Sequence, residues 1–147
     1  MDFRFTEAEL AFQKEVEDFL SRELTPEAIE ESDSYFGYGP ASREFLRKLG
    51  ARGWLCPSWP REYGGIGASH MQSFVLQEAL CYWRAPNTRT GGLVGASMSG
   101  PTIMRVGSEE QKREWLPHIA RGEIEFALGY TEPQAGSDLA SLEIRAV

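Results

Sequence analysis

Apolar residues at Phe12, Val16, Phe19, Leu20 and Leu24 recur at the i, i+4, i+7, i+8 spacing of one helix face. Thr6 with Glu9 three residues later forms a capping-box pattern, and Phe5 and Leu10 supply a hydrophobic staple around it. Pro26 marks the expected end of this helix. Residues 32–40, rich in Gly and Tyr, read as a loop. A second helix is expected from about Pro40, burying Phe45, Leu46 and Leu49, with Gly50 or Gly53 at its C-terminal cap. Residues 54–67 carry Pro57, Pro60, Gly64, Gly65 and Gly67, which excludes regular helix and central strand.

Ser69 with Gln72 opens a further helix. Its Met71, Phe74, Val75, Leu76, Ala79, Leu80 and Trp83 cover most of the circumference, the pattern of a buried central helix. Residues 90–106 read as helix crowded with Gly91, Gly92, Gly95, Ala96, Ser97, Ser99 and Gly100. Ser108 with Gln111 caps a last helix carrying Trp115, Leu116 and Ile119, kinked at Pro117 and stopped at Gly122. Beyond Glu123 the period changes. Residues 124–130 are short and apolar, and Leu142, Ile144 and Ala146 alternate with Glu143, Arg145 and Val147, as strands do. The expectation is a mainly α chain: an all-α domain over residues 1–122, then the opening strands of an incomplete β domain over 123–147. Two strands alone are marginal in water. Either the sequence is truncated or another polypeptide completes the sheet.

Composition narrows the function classes. With 41% hydrophobic and 12% aromatic residues the 147-residue chain can bury a core. A net charge of −7 and the lack of any Lys/Arg cluster argue against a nucleic-acid groove. No apolar run approaches the roughly 20 residues of a membrane span. Cys56 and Cys81 form no C-x-x-C pair, and His70 and His118 are the sole imidazoles. Free thiols in a reducing cytoplasm are expected, without a metal site. Glu15, Glu17, Asp18, Glu30 and Glu31 read as a solvated surface, and the two histidines as surface or packing residues.

Three segments form a recognisable pattern, the first of them with its glycines reading as a shaped connection rather than a phosphate cradle. Gly53-Trp54-Leu55 continues through Trp59-Pro60-Arg61-Glu62-Tyr63-Gly64-Gly65-Ile66-Gly67. Gly107-Ser108-Glu109-Glu110-Gln111-Lys112 runs on to Leu116-Pro117 and Gly122-Glu123. Tyr130-Thr131-Glu132-Pro133 is followed by Ala135-Gly136-Ser137-Asp138. In this order they resemble the acyl-CoA dehydrogenase family, and the forms of the third segment resemble bacterial members acting on bulky or dicarboxylic acyl-CoAs.

The resemblance implies a fold of three parts: a helical N-terminal domain, a middle β domain and a C-terminal helical bundle. The first part and the opening of the second are expected here, with the flavin-stacking Trp motif, the bundle and the catalytic carboxylate lying beyond residue 147. It implies FAD as cofactor, with Leu128, Tyr130, Thr131, Gly136 and Ser137 at the flavin, Ser137 also reaching substrate, and Gly95 lining the acyl pocket. A flavin edge must be met by donors in a dry place. A strand ending in a tight turn offers backbone N–H groups, Thr131 adds a hydroxyl, and Gly136 permits close approach. Taken alone, the same residues also make an ordinary β-turn. Likewise the small-residue helix serves either close helix packing or ligand space.

The implied reaction is α,β-dehydrogenation of an acyl-CoA thioester, with a separate electron acceptor reoxidising the flavin. The chain alone is expected to be inactive, in a bacterial cytoplasm, as part of a homo- or hetero-oligomer. Two other readings stand beside it: a non-catalytic partner subunit of a heteromeric acyl-CoA dehydrogenase, or an excised helical domain without catalytic role.

Overall fold

The computed structural model describes residues 4–34, 39–87 and 94–145. Helix α1 (Glu7–Glu23) starts at the expected capping box: the Thr6 amide donates to Glu9 Oε2 at 2.7 Å and the Glu9 amide to Thr6 Oγ1 at 3.3 Å. Such caps stabilise by about 0.5–2 kcal/mol each. Phe5 packs on the core while Leu10 keeps half its surface in water, so the anticipated staple is one-sided.

Pro26 ends one helix by starting another. Helix α2 (Pro26–Ser34) has Thr25 at its N-cap, the hydroxyl accepting from the Ala28 amide at 3.2 Å. Proline at the first helical position loses a donor that would be unpaired in any case. The expected loop from residue 32 is therefore helix as far as Ser34. Helix α3 (Pro40–Ala51) packs against α2 and draws its N-terminal cap from it. Glu31 Oε2 accepts from the Ser42 amide at 2.7 Å, and Ser42 Oγ donates to the Ala28 carbonyl at 3.2 Å. Glu31, expected on a solvated surface, is thus a half-buried capping residue.

Helix α4 (His70–Tyr82) packs along α1. Val75, Leu76, Ala79 and Leu80 join Phe12, Val16, Phe19, Leu20, Phe45 and Leu49 in the main core. Burying each of the Val, Leu and Phe side chains contributes about 1.5–3 kcal/mol. The expected all-round burial of this helix is not observed: Phe74 is 54% exposed and Tyr82 85%, with Met71 and Trp83 partly open beside them. Apolar composition states what a face prefers to cover, whereas burial requires an element to cover it. Trp54 closes the end of this core, edge-on to Phe12 (5.7 Å) and Phe19 (5.2 Å). The Arg52 guanidinium lies 4.9 Å from the Trp54 ring centre and donates to Glu15 Oε1 at 2.7 Å.

Helices α3, α4 and the last helix, α6 (Glu109–Ala120), all end in Schellman turns. In α6 the Gly122 amide donates to the Ile119 carbonyl and the Glu123 amide to the His118 carbonyl, both at 3.0 Å. Gly122 takes the left-handed conformation (φ 67°) as expected, and Gly53 does the same for α3. In α4 that position is Arg84 (φ 55°), a residue with a Cβ. Helix α6 continues through Pro117 for its last turn, although Pro117 cannot donate to the carbonyl four residues back.

The small-residue region is partly helical as anticipated; Thr90, Gly91 and Gly92 lie outside the described residues. A π turn spans Gly95–Ser99 and passes into α5 (Gly100–Val106), the Gly100 amide donating to the Gly95 carbonyl. Pro101 cannot donate to Ser97, so the wider turn suits the sequence at this point. A second core of Cys56, Trp59, Leu116, Ile119 and Ala120 joins these turns to the loop.

The expected strands are absent among the described residues. Residues 124–131 and 142–145 form no ladder, and one isolated bridge pairs Glu132 with Ala135. Alternation marks a segment suited to a sheet, but a strand exists only when a neighbour takes its hydrogen bonds. The truncated β domain expected from residue 123 is, in this structure, an irregular arm.

Candidate functional site

The arm begins where α6 ends. Arg121 grips Glu123 through Nε (2.6 Å) and Nη2 (3.0 Å), and His118 Nδ1 lies 2.5 Å from the same carboxylate. The Arg121 hydrogen bond, reinforced by His118, lowers the Glu123 carboxyl from 4.5 to about 2. His118, expected as a surface or packing residue, is thus part of a hydrogen-bonded cluster with Arg121 and Glu123 at the root of the arm.

Phe126 then folds back onto the helices. Its ring meets Trp115 edge-on at 6.4 Å and packs on the second core. Beside it, Thr102, Ile103, Val106, Gly107, Gln111 and Trp115 enclose a cavity of about 250 Å³. A larger groove of about 470 Å³ runs between residues 55–60 and the opposite wall formed by Ala96 and Ser97 of the π turn and Pro101 and Met104 of α5.

Gly95 faces neither cavity. A Cβ at this position would meet Ile119 Cγ2 at 3.3 Å and Phe126 Cδ2 at 3.6 Å, so Gly95 is a close-packing position between α6 and the arm. The room left by small side chains opens at Ala96 and Ser97, on another face of the same turn.

Beyond Phe126 the candidate flavin residues come forward on one arm. Leu128 and Tyr130 are about half exposed, and Thr131, Gly136 and Ser137 are also exposed. Glu132 and Ala135 exchange backbone hydrogen bonds at 3.0 and 3.1 Å, closing a turn that carries Pro133 and Gln134. This bridge brings Thr131 beside Gly136, whose Cβ position lies 3.9 Å from Thr131 Cγ2. Leu128, Gly129, Tyr130 and Thr131 donate no backbone hydrogen bond within the described residues. Unspent donors next to a hydroxyl and a glycine fit the acceptor-rich edge of a flavin. Gly95, at the Phe126 contact, belongs to the root of the arm rather than to this turn.

One residue of the turn was given no role by sequence reasoning. Glu132 is half-buried, and its carboxylate accepts from Gln134 Nε2 at 2.6 Å, from the Ile144 amide at 2.8 Å and from the Glu143 amide at 3.0 Å. Its signal was its place between Thr131 and Pro133, but its partners lie eleven and twelve residues away, and no local pattern reports them.

Among the described residues no cluster of three or more His, Cys, Asp or Glu could hold a metal ion. No described helix is long and apolar enough to cross a membrane. Cys56 is buried in the second core and Cys81 is exposed, neither in a disulfide.

Residues 6–123 match the model of the acyl-CoA dehydrogenase N-terminal domain, and the chain belongs to that family. It is 35% identical to the acyl-CoA dehydrogenase FadE26 of Mycobacterium tuberculosis, over all of this chain and 36% of that protein. Among solved structures, the "Tcur3481-Tcur3483 steroid ACAD" superposes with a TM-score of 0.77 at 40% identity, over 97% of this chain and 36% of that one. An acyl-CoA dehydrogenase complexed with FAD from Bacillus anthracis superposes with a TM-score of 0.65 at 33% identity, over 95% of this chain and 23% of that one. The chain thus spans about a third of the length of the relatives it matches first.

Proposed function

We propose that this chain forms the helical wall and one flavin-facing turn of an FAD-dependent acyl-CoA dehydrogenase acting on a bulky, ring-bearing acyl-CoA, in a bacterial cytoplasm. The observation that carries the reading is the turn itself: Thr131 held against Gly136, with Ser137 next to it in the chain, beside backbone donors that no acceptor among the described residues uses. Supporting it are the family match and the likeness to a protein crystallised with FAD.

FAD held by Leu128, Tyr130, Thr131, Gly136 and Ser137 would supply the hydride acceptor that α,β-dehydrogenation of the thioester requires, with a carboxylate base needed for the α proton. This chain's part is to bind and orient. The donors of residues 128–131 and the Thr131 hydroxyl hold the edge of the ring, and Ser137 reaches the pyrophosphate or the CoA end of substrate. The Ala96 and Ser97 side of the π turn leaves space for substrate bulk, and the likeness to a steroid-acting protein favours a ring system there. We assign the base to no residue of this chain. The carboxylates of Glu15, Glu31, Glu123 and Glu132 are each committed to an ion pair or a backbone cap.

A heteromeric assembly, with another polypeptide supplying the sheet and the base, is the second reading. It is favoured by the pairing of two polypeptides in the name of the steroid-acting neighbour. The test is purification of the assembly through a tag on this chain, followed by flavin spectroscopy and oxidation of a steroid-bearing acyl-CoA to its enoyl product. Stoichiometric FAD with loss of both hydrogens is expected. An assembly without flavin, or one inert towards bulky thioesters, rejects the reading. In the same assembly Thr131→Val should weaken FAD binding by about 1–3 kcal/mol, the cost of an unpaired polar group.

A further inference from the structure

The arm lacks the ladder that would join residues 124–131 to 142–145, and a single side chain stands in its place. Glu132 Oε1 accepts from the Ile144 amide at 2.8 Å, and Oε2 accepts from the Glu143 amide at 3.0 Å. Two successive backbone amides converging on one carboxylate form an anion grip. Hydrogen bonds to an ionised acceptor are roughly twice as strong as neutral ones. Oε2 also accepts from Gln134 Nε2 at 2.6 Å, which pins the far side of the turn to the same carboxylate. The Glu132 main chain meanwhile pairs with Ala135 in both directions. One residue therefore closes the turn through its backbone and anchors it to the next segment through its side chain. An exposed turn with no need of a fixed shape would leave such a carboxylate to water.

We propose that Glu132 is a positioning residue: it clamps the turn to residues 143–144 so that Thr131, Gly136 and Ser137 keep one arrangement towards the flavin. The inference rests on the flavin reading of this turn. Glu132 acts through these neighbours and touches no reacting atom.

The experiment has two arms. In the 147-residue chain, backbone amide exchange at Glu143 and Ile144 is followed by NMR in unaltered, Glu132→Ala and Glu132→Gln proteins, with the Glu9 amide as internal reference. Glu132→Ala should accelerate exchange at both amides about tenfold or more, the scale of a lost charge-assisted hydrogen bond. Glu132→Gln keeps one oxygen acceptor and should fall between. In the flavin-loaded assembly purified through this chain, the FAD dissociation constant should rise about tenfold for Glu132→Ala, with partial rescue by Gln. Unchanged exchange overturns the clamp. Faster exchange with unaltered FAD affinity overturns the positioning role while leaving the flavin reading intact. An unaltered assembly that binds no FAD overturns the flavin reading itself, and the exchange arm still decides whether the clamp exists.

Discussion

The Trp59 indole lies so close to Gly100 that a Cβ on the glycine would fall 2.1 Å from Trp59 Cη2. The contact joins the irregular 54–67 loop to the start of α5, and it leaves no volume for a methyl group. Trp59 is buried in the second core, so its ring has little freedom to withdraw. Gly100→Ala should destabilise the chain by about 1–3 kcal/mol, the usual cost of overpacking. Urea denaturation followed by Trp fluorescence measures it, and an unshifted midpoint would show that the indole moves aside freely.

Arg84 occupies with φ 55° the Schellman position that Gly53 and Gly122 occupy in the neighbouring helices. A side chain in this conformation costs roughly 1–2 kcal/mol, which glycine avoids. Arg84 also pairs with Asp33, an exposed contact of about 0–1 kcal/mol. Arg84→Gly should therefore stabilise by about 1 kcal/mol net, the difference between the middles of the two ranges. Gly122→Ala should destabilise by about 1 kcal/mol, since it forces a Cβ into the same backbone region. Opposite signs in thermal unfolding are the expected signature, and equal signs would contradict the strain argument.

Glu123 is held at about 2, below the ordinary 4.5, by its hydrogen bonds from Arg121 and then His118. Its folded value is depressed, so its contribution is present above the unfolded pKa and is lost as pH falls from 4.5 through about 2. Carboxyl-carbon NMR should place its midpoint near 2, and Glu123→Gln should flatten the acid limb of the stability profile in that window. A midpoint near 4.5 would mean that the cluster does not persist in solution.

Burial pushes the Cys56 thiol up to about 12, whereas Cys81 lies exposed on α4. Thiolate is the nucleophile, so an alkylating reagent at pH 8 should label the folded chain once. Cys81→Ser should abolish this labelling and Cys56→Ser should leave it intact. Two fast-reacting thiols would indicate that the second core opens.

Gly95 packs against Ile119 and Phe126, so Gly95→Leu tests packing before it tests substrate selectivity. The overpacked variant should lose about 1–3 kcal/mol of stability and loosen the root of the arm. Ser97→Leu, on the groove wall, is the substitution expected to raise KM for bulky acyl-CoAs more than for short straight ones. Equal effects on both substrates would leave the groove without a role in selectivity.

Helix caps and faces were legible because their causes are local. Thr6 with Glu9, Ser69 with Gln72 and Ser108 with Gln111 each satisfy orphan amides three residues away, and the structure shows all three boxes. The i, i+4 rows of α1 and α3 buried the residues their spacing indicated, except Leu24, which caps α1 and is partly covered. The start of the helix after Pro26 is equally local, but a proline at that place reads both as the end of one helix and as the first position of the next. The turn closed by Glu132 and Ala135 was visible as a motif, since Gly, Pro, Ser and Asp at those positions constrain the backbone directly.

What tertiary structure decided depends on partners distant along the chain. The open face of α4 at Phe74 and Tyr82 follows from which element lies opposite, which composition does not state. The absence of strands in the arm has the same origin: alternation at 142–145 prepares a sheet, but the hydrogen bonds of a sheet belong to two segments at once. Glu31 capping α3, Gly95 packing under Phe126 and Glu132 gripping two amides of the arm are likewise relations across space. Sequence determines local conformational preference because steric and capping terms act within a few residues. Which preference is satisfied, and by what, is settled when distant segments compete for the same buried volume and the same hydrogen-bond partners.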